Sequence, residues 1–173
     1  MKVRNLETLG AREIRALADV LVDCVEGGAS VSFLSPLAAS TAEAFWRDVG
    51  GSVARGERIV LAAEDGAGEI VGTVQLILRQ PENQPHRGDL AKMLVHRRAR
   101  RQGVGEALLV AAEERARASG KTLLVLDTAS DSAERLYERH GWRRVGVIPG
   151  YALSPVGVPL PTTYYYKVLD GAT

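Results

Sequence analysis

The residues with the clearest chemical potential lie in the stretch VHRRARRQGVGEALLV, residues 95–110. An apolar, strand-like run feeds a basic turn containing two glycines, and the turn opens onto a helical pattern. The first amides of a helix lack intrahelical partners, and the helix dipole adds partial positive charge there. Gly103 and Gly105 carry no side chain, so an anion can come close to those amides. Arg97, Arg98, Arg100 and Arg101 add full charges beside them, and guanidinium groups grip phosphate oxygens well. The chemistry suggested is that of a phosphate or pyrophosphate site. The plain alternative is a solvated arginine run ahead of a glycine-softened helix.

Two common phosphate loops do not fit. In a G-x-G-x-x-G dinucleotide loop, Leu108 would stand where the third glycine belongs, and the glycines lie well beyond the strand instead of at its end. A Walker loop needs Gly-Lys-Ser/Thr, which is absent here. What remains is R-x-x-G-x-G, as Arg100-Arg101-Gln102-Gly103-Val104-Gly105. This resembles the coenzyme A loop of the Gcn5-related N-acetyltransferase superfamily. LAKMLVH ahead of the loop resembles that family's fourth strand, and DTASDSAERLYERHGWRRVG its strand and helix ending in a tyrosine and a Gly-aromatic pair, here Tyr137 and Gly141-Trp142. PTTYYYKVL is similar to its closing strand, so the resemblance spans roughly residues 58 to 170. DLAKMLV, GGASVSFLSPL and IPGYALSPVGVPLPTTYYYK look most like the small-molecule branch that includes the tabtoxin resistance acetyltransferases.

The resemblance implies an acetyl-CoA-dependent transfer of an acetyl group to the amine of a small molecule: an amino acid-like compound, an antibiotic or toxin, or a polyamine. The backbone of Met93, Leu94 and Val95 would bond the pantetheine arm, with one N–H polarising the thioester carbonyl. Amides from Arg101, Gln102, Gly103, Val104, Gly105 and Glu106, with Arg100 beside them, would hold the pyrophosphate. Tyr137 occupies the position from which the family's tyrosine protonates the leaving sulfur; a half-buried packing residue is the alternative. Ser130 stands where the family often has asparagine, and it either bonds the cofactor arm or simply caps a helix. Acetyl-CoA is the one co-substrate implied, and acetyl-CoA sensing without turnover, or acetylation of protein N-termini or lysines, are the nearby alternatives.

An acceptor amine is mostly protonated near neutral pH, so something must take its proton. Asp89, Asp127 and Glu26 are the candidates, and Asp127 leads because it ends an apolar strand. Solvated surface carboxylates are the alternative for each. Glu26, Asp89, Phe33 and Tyr151 are also carried as acceptor contacts, Phe33 and Tyr151 because they read as loop residues. Lys92 is either a ligand contact or a snorkelling surface lysine. His86, His96 and His140 show no metal-ligand spacing, so no metal is expected.

The elements that must position these residues follow from periodicity. A short strand is expected at Val3–Leu6, helices at 11–26 and 37–54, strands at 58–64, 69–78 and 89–96, and a helix at 103–119. A strand at 123–128, a capped helix ending at Arg139, and strands at 142–148 and 163–169 complete the pattern, the last two joined by the loop PGYALSPVGVPLP. Alternation places Tyr164 and Tyr166 on one face of the last strand and Tyr165 on the other. The expected fold is mixed α/β (α+β), one acetyltransferase-like domain over 1–173. The resemblance implies a central, mostly antiparallel, splayed sheet of six to seven strands flanked by about four helices. With 22 basic against 21 acidic residues, no overall affinity for nucleic acid or membrane is expected, and a basic-loop binding module is the reading from another class. Cys24 is the one cysteine, which fits a reducing, cytoplasmic setting. A monomer or homodimer acting on a small-molecule amine is expected.

Overall fold

The computed structural model describes residues 1–169, so residues 170–173 of the expected domain lie outside the described residues. The order of elements is β1 (Lys2–Asn5), α1 (Ala11–Glu26), α2 (Ala39–Ala54), β2 (Arg58–Glu64), β3 (Ile70–Ile77) and β4 (Arg87–Val95). A single turn of 3-10 helix at Arg97–Ala99 leads to α3 (Val104–Ala118), β5 (Leu123–Thr128), α4 (Asp131–Arg139), β6 (Arg143–Leu153) and β7 (Pro159–Val168). The seven strands form one sheet in the order β1-β2-β3-β4-β5-β7-β6, antiparallel at every junction except the parallel β4–β5 pair.

Each face of the sheet carries its own core. Leu17, Leu21 and Val25 of α1 and Trp46 of α2 bury against Val60, Ala62 and Leu94 on one side. Leu108, Leu109, Ala112 and Ala116 of α3 pack with Leu76, Leu124, Leu126, Tyr137 and Tyr165 on the other. The helical spacing in α1 is as anticipated, but Val20 and Cys24 are fully buried while Ile14 and Val22 are only partly so. Gly72 lets α3 start close to the sheet: a Cβ there would meet Val104 Cγ1 at 2.9 Å and Leu108 Cδ1 at 3.1 Å.

A buried polar network ties α3 to the C-terminal strands. Glu113, buried on α3, accepts from Trp142 Nε1 at 2.9 Å and from Lys167 Nζ at 2.6 Å. One charge thus finds a partner charge and an indole donor, which offsets its desolvation.

The largest departure from expectation is at the C-terminus. The segment PGYALSPVGVPLP, read as a loop, is mostly strand: β6 runs to Leu153 and β7 begins at Pro159. The ladder shifts register between Ile148 and Ala152, so a bulge absorbs Pro149 and Gly150 within a continuing strand. Turn-forming residues signalled a loop, and long-range pairing with β7 overrode that signal.

Candidate active site

The site begins with a failure of strand pairing. β4 and β5 run parallel but pair only over Arg87–Asp89 with Leu123–Val125, and then diverge. Beyond Asp89 that edge of β4 has no strand partner, so its backbone groups face a wedge. A register shift against β3 falls within the same stretch, where Lys92 takes a left-handed φ of 51°. The wedge opens into a cleft of about 1200 Å³.

Met93, Leu94 and Val95 line this cleft from β4. The Val95 carbonyl is already engaged: it accepts from Arg100 Nε at 3.2 Å and from Cys24 Sγ at 3.5 Å. Cys24 therefore sits in the cleft wall, its thiol pushed up chiefly by burial. Arg100, Arg101, Gly103, Val104, Gly105 and Glu106 line the next stretch, where α3 begins. Gly103 is its N-cap in the left-handed region at φ 78°, and no atom lies within 4 Å of where its Cβ would stand. Open amides at a helix start, with space before them, suit a pyrophosphate.

Not all of the basic loop takes part. Gln102 turns its side chain back to donate to the Arg98 carbonyl at 3.0 Å, and it does not line the cleft. Arg97 is drawn to Asp23, whose carboxylate accepts from its amide at 2.8 Å and its Nε at 2.9 Å. Arg98 pairs with Asp65 at 3.5 Å.

Tyr137 enters the cleft from α4. It is 4% exposed, and its ring lies 5.7 Å from that of Trp142 and 6.0 Å from that of Tyr165. Burial, reinforced by the charge of Asp127, pushes its phenol well above the ordinary range. The hydroxyl has no hydrogen-bond partner among the described residues, and it is not one of the sealed-off polar atoms. Ser130 caps α4 through an Oγ that accepts from the Ala133 amide at 3.4 Å, and it also lines the cleft.

Asp127, at the exposed end of β5, is held by Thr162 Oγ1 at 2.7 Å, and both residues line the cleft. Tyr151 lines it from β6, not from a loop, and its hydroxyl lies 2.9 Å from that of Tyr164. That hydrogen bond, then burial and the charge of Asp127, leave Tyr164 pushed up to about 12. Tyr165 takes the other face, as alternation requires, and is fully buried.

Three anticipated acceptor contacts lie elsewhere. Glu26 accepts from the Leu37 amide at 3.1 Å and Ser35 Oγ at 2.8 Å, pinning the α1–α2 connection; those bonds hold its carboxyl below the usual range. Asp89 pairs with Arg87 at 2.6 Å and accepts from Gln80 at 3.1 Å, and is absent from the cleft lining. Phe33 packs edge-on against Phe45 with centroids 5.4 Å apart. In each case the side chain has a partner outside the cleft lining. Conversely, Thr162, Cys24 and Lys92 line the cleft without a decisive sequence signal; only Lys92, a charge inside an apolar strand, gave a hint.

The cleft is bridged at this end. Ser30 Oγ donates to the Leu153 carbonyl at 3.1 Å, and the Ser35 amide donates to the Pro155 carbonyl at 2.9 Å. The α1–α2 connection is thereby tied to the β6–β7 turn. No helix is long and apolar enough to cross a membrane, and no cluster suited to a metal ion occurs, among the described residues.

A model of the acetyltransferase (GNAT) family matches residues 29–142. An uncharacterized N-acetyltransferase from the hisH-hisA intergenic region of Azospirillum brasilense is 34% identical over 128 residues, covering 72% of this chain and 73% of that protein. The fold is similar to that of a ribosomal-protein-alanine N-acetyltransferase from Brucella melitensis, with a TM-score of 0.79 and 22% identity over 98% of this chain and 100% of that one. It is equally similar to a phosphinothricin acetyltransferase from Sinorhizobium meliloti in complex with AcCoA, with a TM-score of 0.80 and 18% identity over 99% of this chain and 90% of that one.

Proposed function

The chain belongs to the acetyltransferase (GNAT) family, and we propose that it transfers the acetyl group of acetyl-CoA directly to the amine of a small molecule. The observation that carries this reading is the convergence, in one cleft, of the unpaired β4 edge, the start of α3, Tyr137 and Asp127. The residues present fit the donor: an open strand edge for an amide-bearing arm, and free helix amides beside Arg100 and Arg101 for a pyrophosphate.

Acetyl-CoA supplies a thioester, already an activated acyl donor, so no covalent link to the protein is needed. The backbone groups of Met93–Val95 on the edge that β5 leaves unpaired orient the arm, and an N–H there stabilises negative charge on the carbonyl oxygen. Asp127, steadied by Thr162, takes the ammonium proton of the acceptor, and the neutral nitrogen then bonds the carbonyl carbon. Tyr137, kept protonated by burial, returns a proton to the sulfur as the carbon–sulfur bond breaks. Counted from the ammonium, nitrogen sheds two protons: one passes through Asp127 to solvent, the other makes good the one that Tyr137 gives to sulfur, and the products are an amide and a free thiol.

The names of the two structural neighbours point to different acceptors, a ribosomal protein and phosphinothricin. The hydrogen bonds that tie the α1–α2 connection to the β6–β7 turn beside the cleft support the small one. The test is release of free thiol from acetyl-CoA across amino acids, polyamines, aminoglycosides and short peptides. Turnover of small amines is expected. Thiol release with peptides alone points to a protein acceptor, and tight acetyl-CoA binding without release for any amine points to a sensor.

A further inference from the structure

Two charged groups line the acceptor end of the cleft without pairing. Lys92 stands on the β4 irregularity, where Nζ donates to Ser32 Oγ at 2.9 Å and lies 5.7 Å from the Phe45 ring centre. Ser32 and Lys92 both hold left-handed backbone, at φ 79° and 51°, which non-glycine residues adopt only at a cost. Strain of this kind collects where a ligand must be met. Asp127 is the carboxylate whose field reaches Lys92, yet no ion pair within 4.0 Å joins Lys92 to any described carboxylate. Burial and the nearby Arg58 act the other way and leave the Lys92 ammonium less favoured than usual.

Arg58, whose charge reaches Lys92, lies outside the cleft lining. Arg58 donates through Nη1 to Gln75 Oε1, while its Nε and the Gln75 Nε2 are buried without a partner among the described residues. Two partly buried cations near one another destabilise each other unless an anion joins them. The cleft thus presents positive charge at Lys92 and negative charge at Asp127.

We propose that the acceptor is an amino acid or a close analogue, with its anionic group bound by Lys92 and its amine directed to Asp127. This rests on the acetyl-transfer reading above and names its substrate class. A polyamine or aminoglycoside would bring further positive charge against Lys92.

The test compares matched acceptors with the full chain and acetyl-CoA: leucine, leucinamide and 3-methylbutylamine, with equivalent sets for other amino acids, and spermidine. The carboxylate member of at least one set is expected to exceed its amide in kcat/KM by about tenfold or more, the range of a hydrogen bond to a charged group. In Lys92→Gln that ratio should fall toward one, while calorimetry shows acetyl-CoA binding retained. A wild-type preference for amides or spermidine, or an unchanged ratio in Lys92→Gln, overturns the proposal. If no amine releases thiol, the transferase reading fails separately. Titrating the same compounds into the coenzyme A complex then decides the subsite: heat with the carboxylates that the amides and Lys92→Gln lack supports it, and no such heat overturns it.

Discussion

Replacing Tyr137 by Phe separates chemistry from packing more cleanly than any other single change. The ring is 4% exposed and touches Trp142 and Tyr165, so Phe keeps the aromatic contacts and removes one oxygen. That oxygen has no protein partner among the described residues, so stability should move by no more than about 1 kcal/mol, or roughly 4 °C in Tm. Tyr137→Ala would instead open a cavity costing about 3–5 kcal/mol and confuse the two effects. A positioned general acid contributes about 10²–10⁴-fold, which is about 2.7–5.5 kcal/mol of barrier. Because burial raises the phenol's pKa, the acid form persists throughout the usual assay range, and the wild-type rate should show no alkaline fall from Tyr137 ionising below pH ~10. The rate is read as thiol release under saturating acetyl-CoA and acceptor, from about pH 6 to 10. The expected outcome is a loss of about a hundredfold or more in kcat with Tm nearly unchanged. Equal kcat at every pH would leave Tyr137 a packing residue and remove it from the mechanism.

Other perturbations probe the frame around the site. Gly103→Ala forces a side chain into left-handed backbone at the start of α3, costing about 1–2 kcal/mol locally; the KM for acetyl-CoA should rise more than kcat falls. Gly72→Ala drives a Cβ against Val104 and Leu108, and thermal unfolding should show a loss of about 1–3 kcal/mol together with weaker acetyl-CoA binding by calorimetry. Glu113→Leu takes the anionic partner from Lys167, which keeps only the His140 carbonyl, and strands the Trp142 indole N–H; about 3–5 kcal/mol should be lost, a drop of roughly 6–20 °C in Tm. The hydrogen bonds from Leu37 and Ser35 depress the Glu26 pKa, so their stabilisation is complete above the ordinary carboxylate range. It should fade as pH falls below about 4, seen as faster exchange of the Leu37 amide relative to core amides once intrinsic rates are divided out.

The proposed donor side of the site was legible because its parts are local. The strand Met93–Val95, the loop from Arg100 to Gly105, and the helix they open form one contiguous stretch. Glycine placement, basic charge and a switch from strand to helix pattern are properties of neighbours in sequence, so they survive without coordinates. Ser130 and Tyr137 are likewise set by one short helix, whose cap and period can be read directly. Within that stretch Gln102 was the exception, since only the fold reveals its side chain bonded back to Arg98.

The proposed acceptor side was legible only at Asp127 and Tyr151, and the reason is physical. A carboxylate's role depends on which partner lies nearest, and residue type carries no record of that. Glu26 serves a backbone amide, Asp89 serves Arg87, and Asp127 remains in the cleft only because β4 and β5 part after three paired residues. The facing wall comes from Ser32, Lys92, Tyr151 and Thr162, drawn from four separate segments by strand register and by the bridge from Ser30 to Leu153. Periodicity told which faces are apolar and where helices start and stop. Long-range pairing decided that a proline-rich segment would continue as strand, and that two parallel strands would splay. The sequence alone therefore determined the general fold and the loop proposed for the donor. The tertiary structure decided which charges meet across the cleft, because charge pairing is a matter of distance in space, not in sequence.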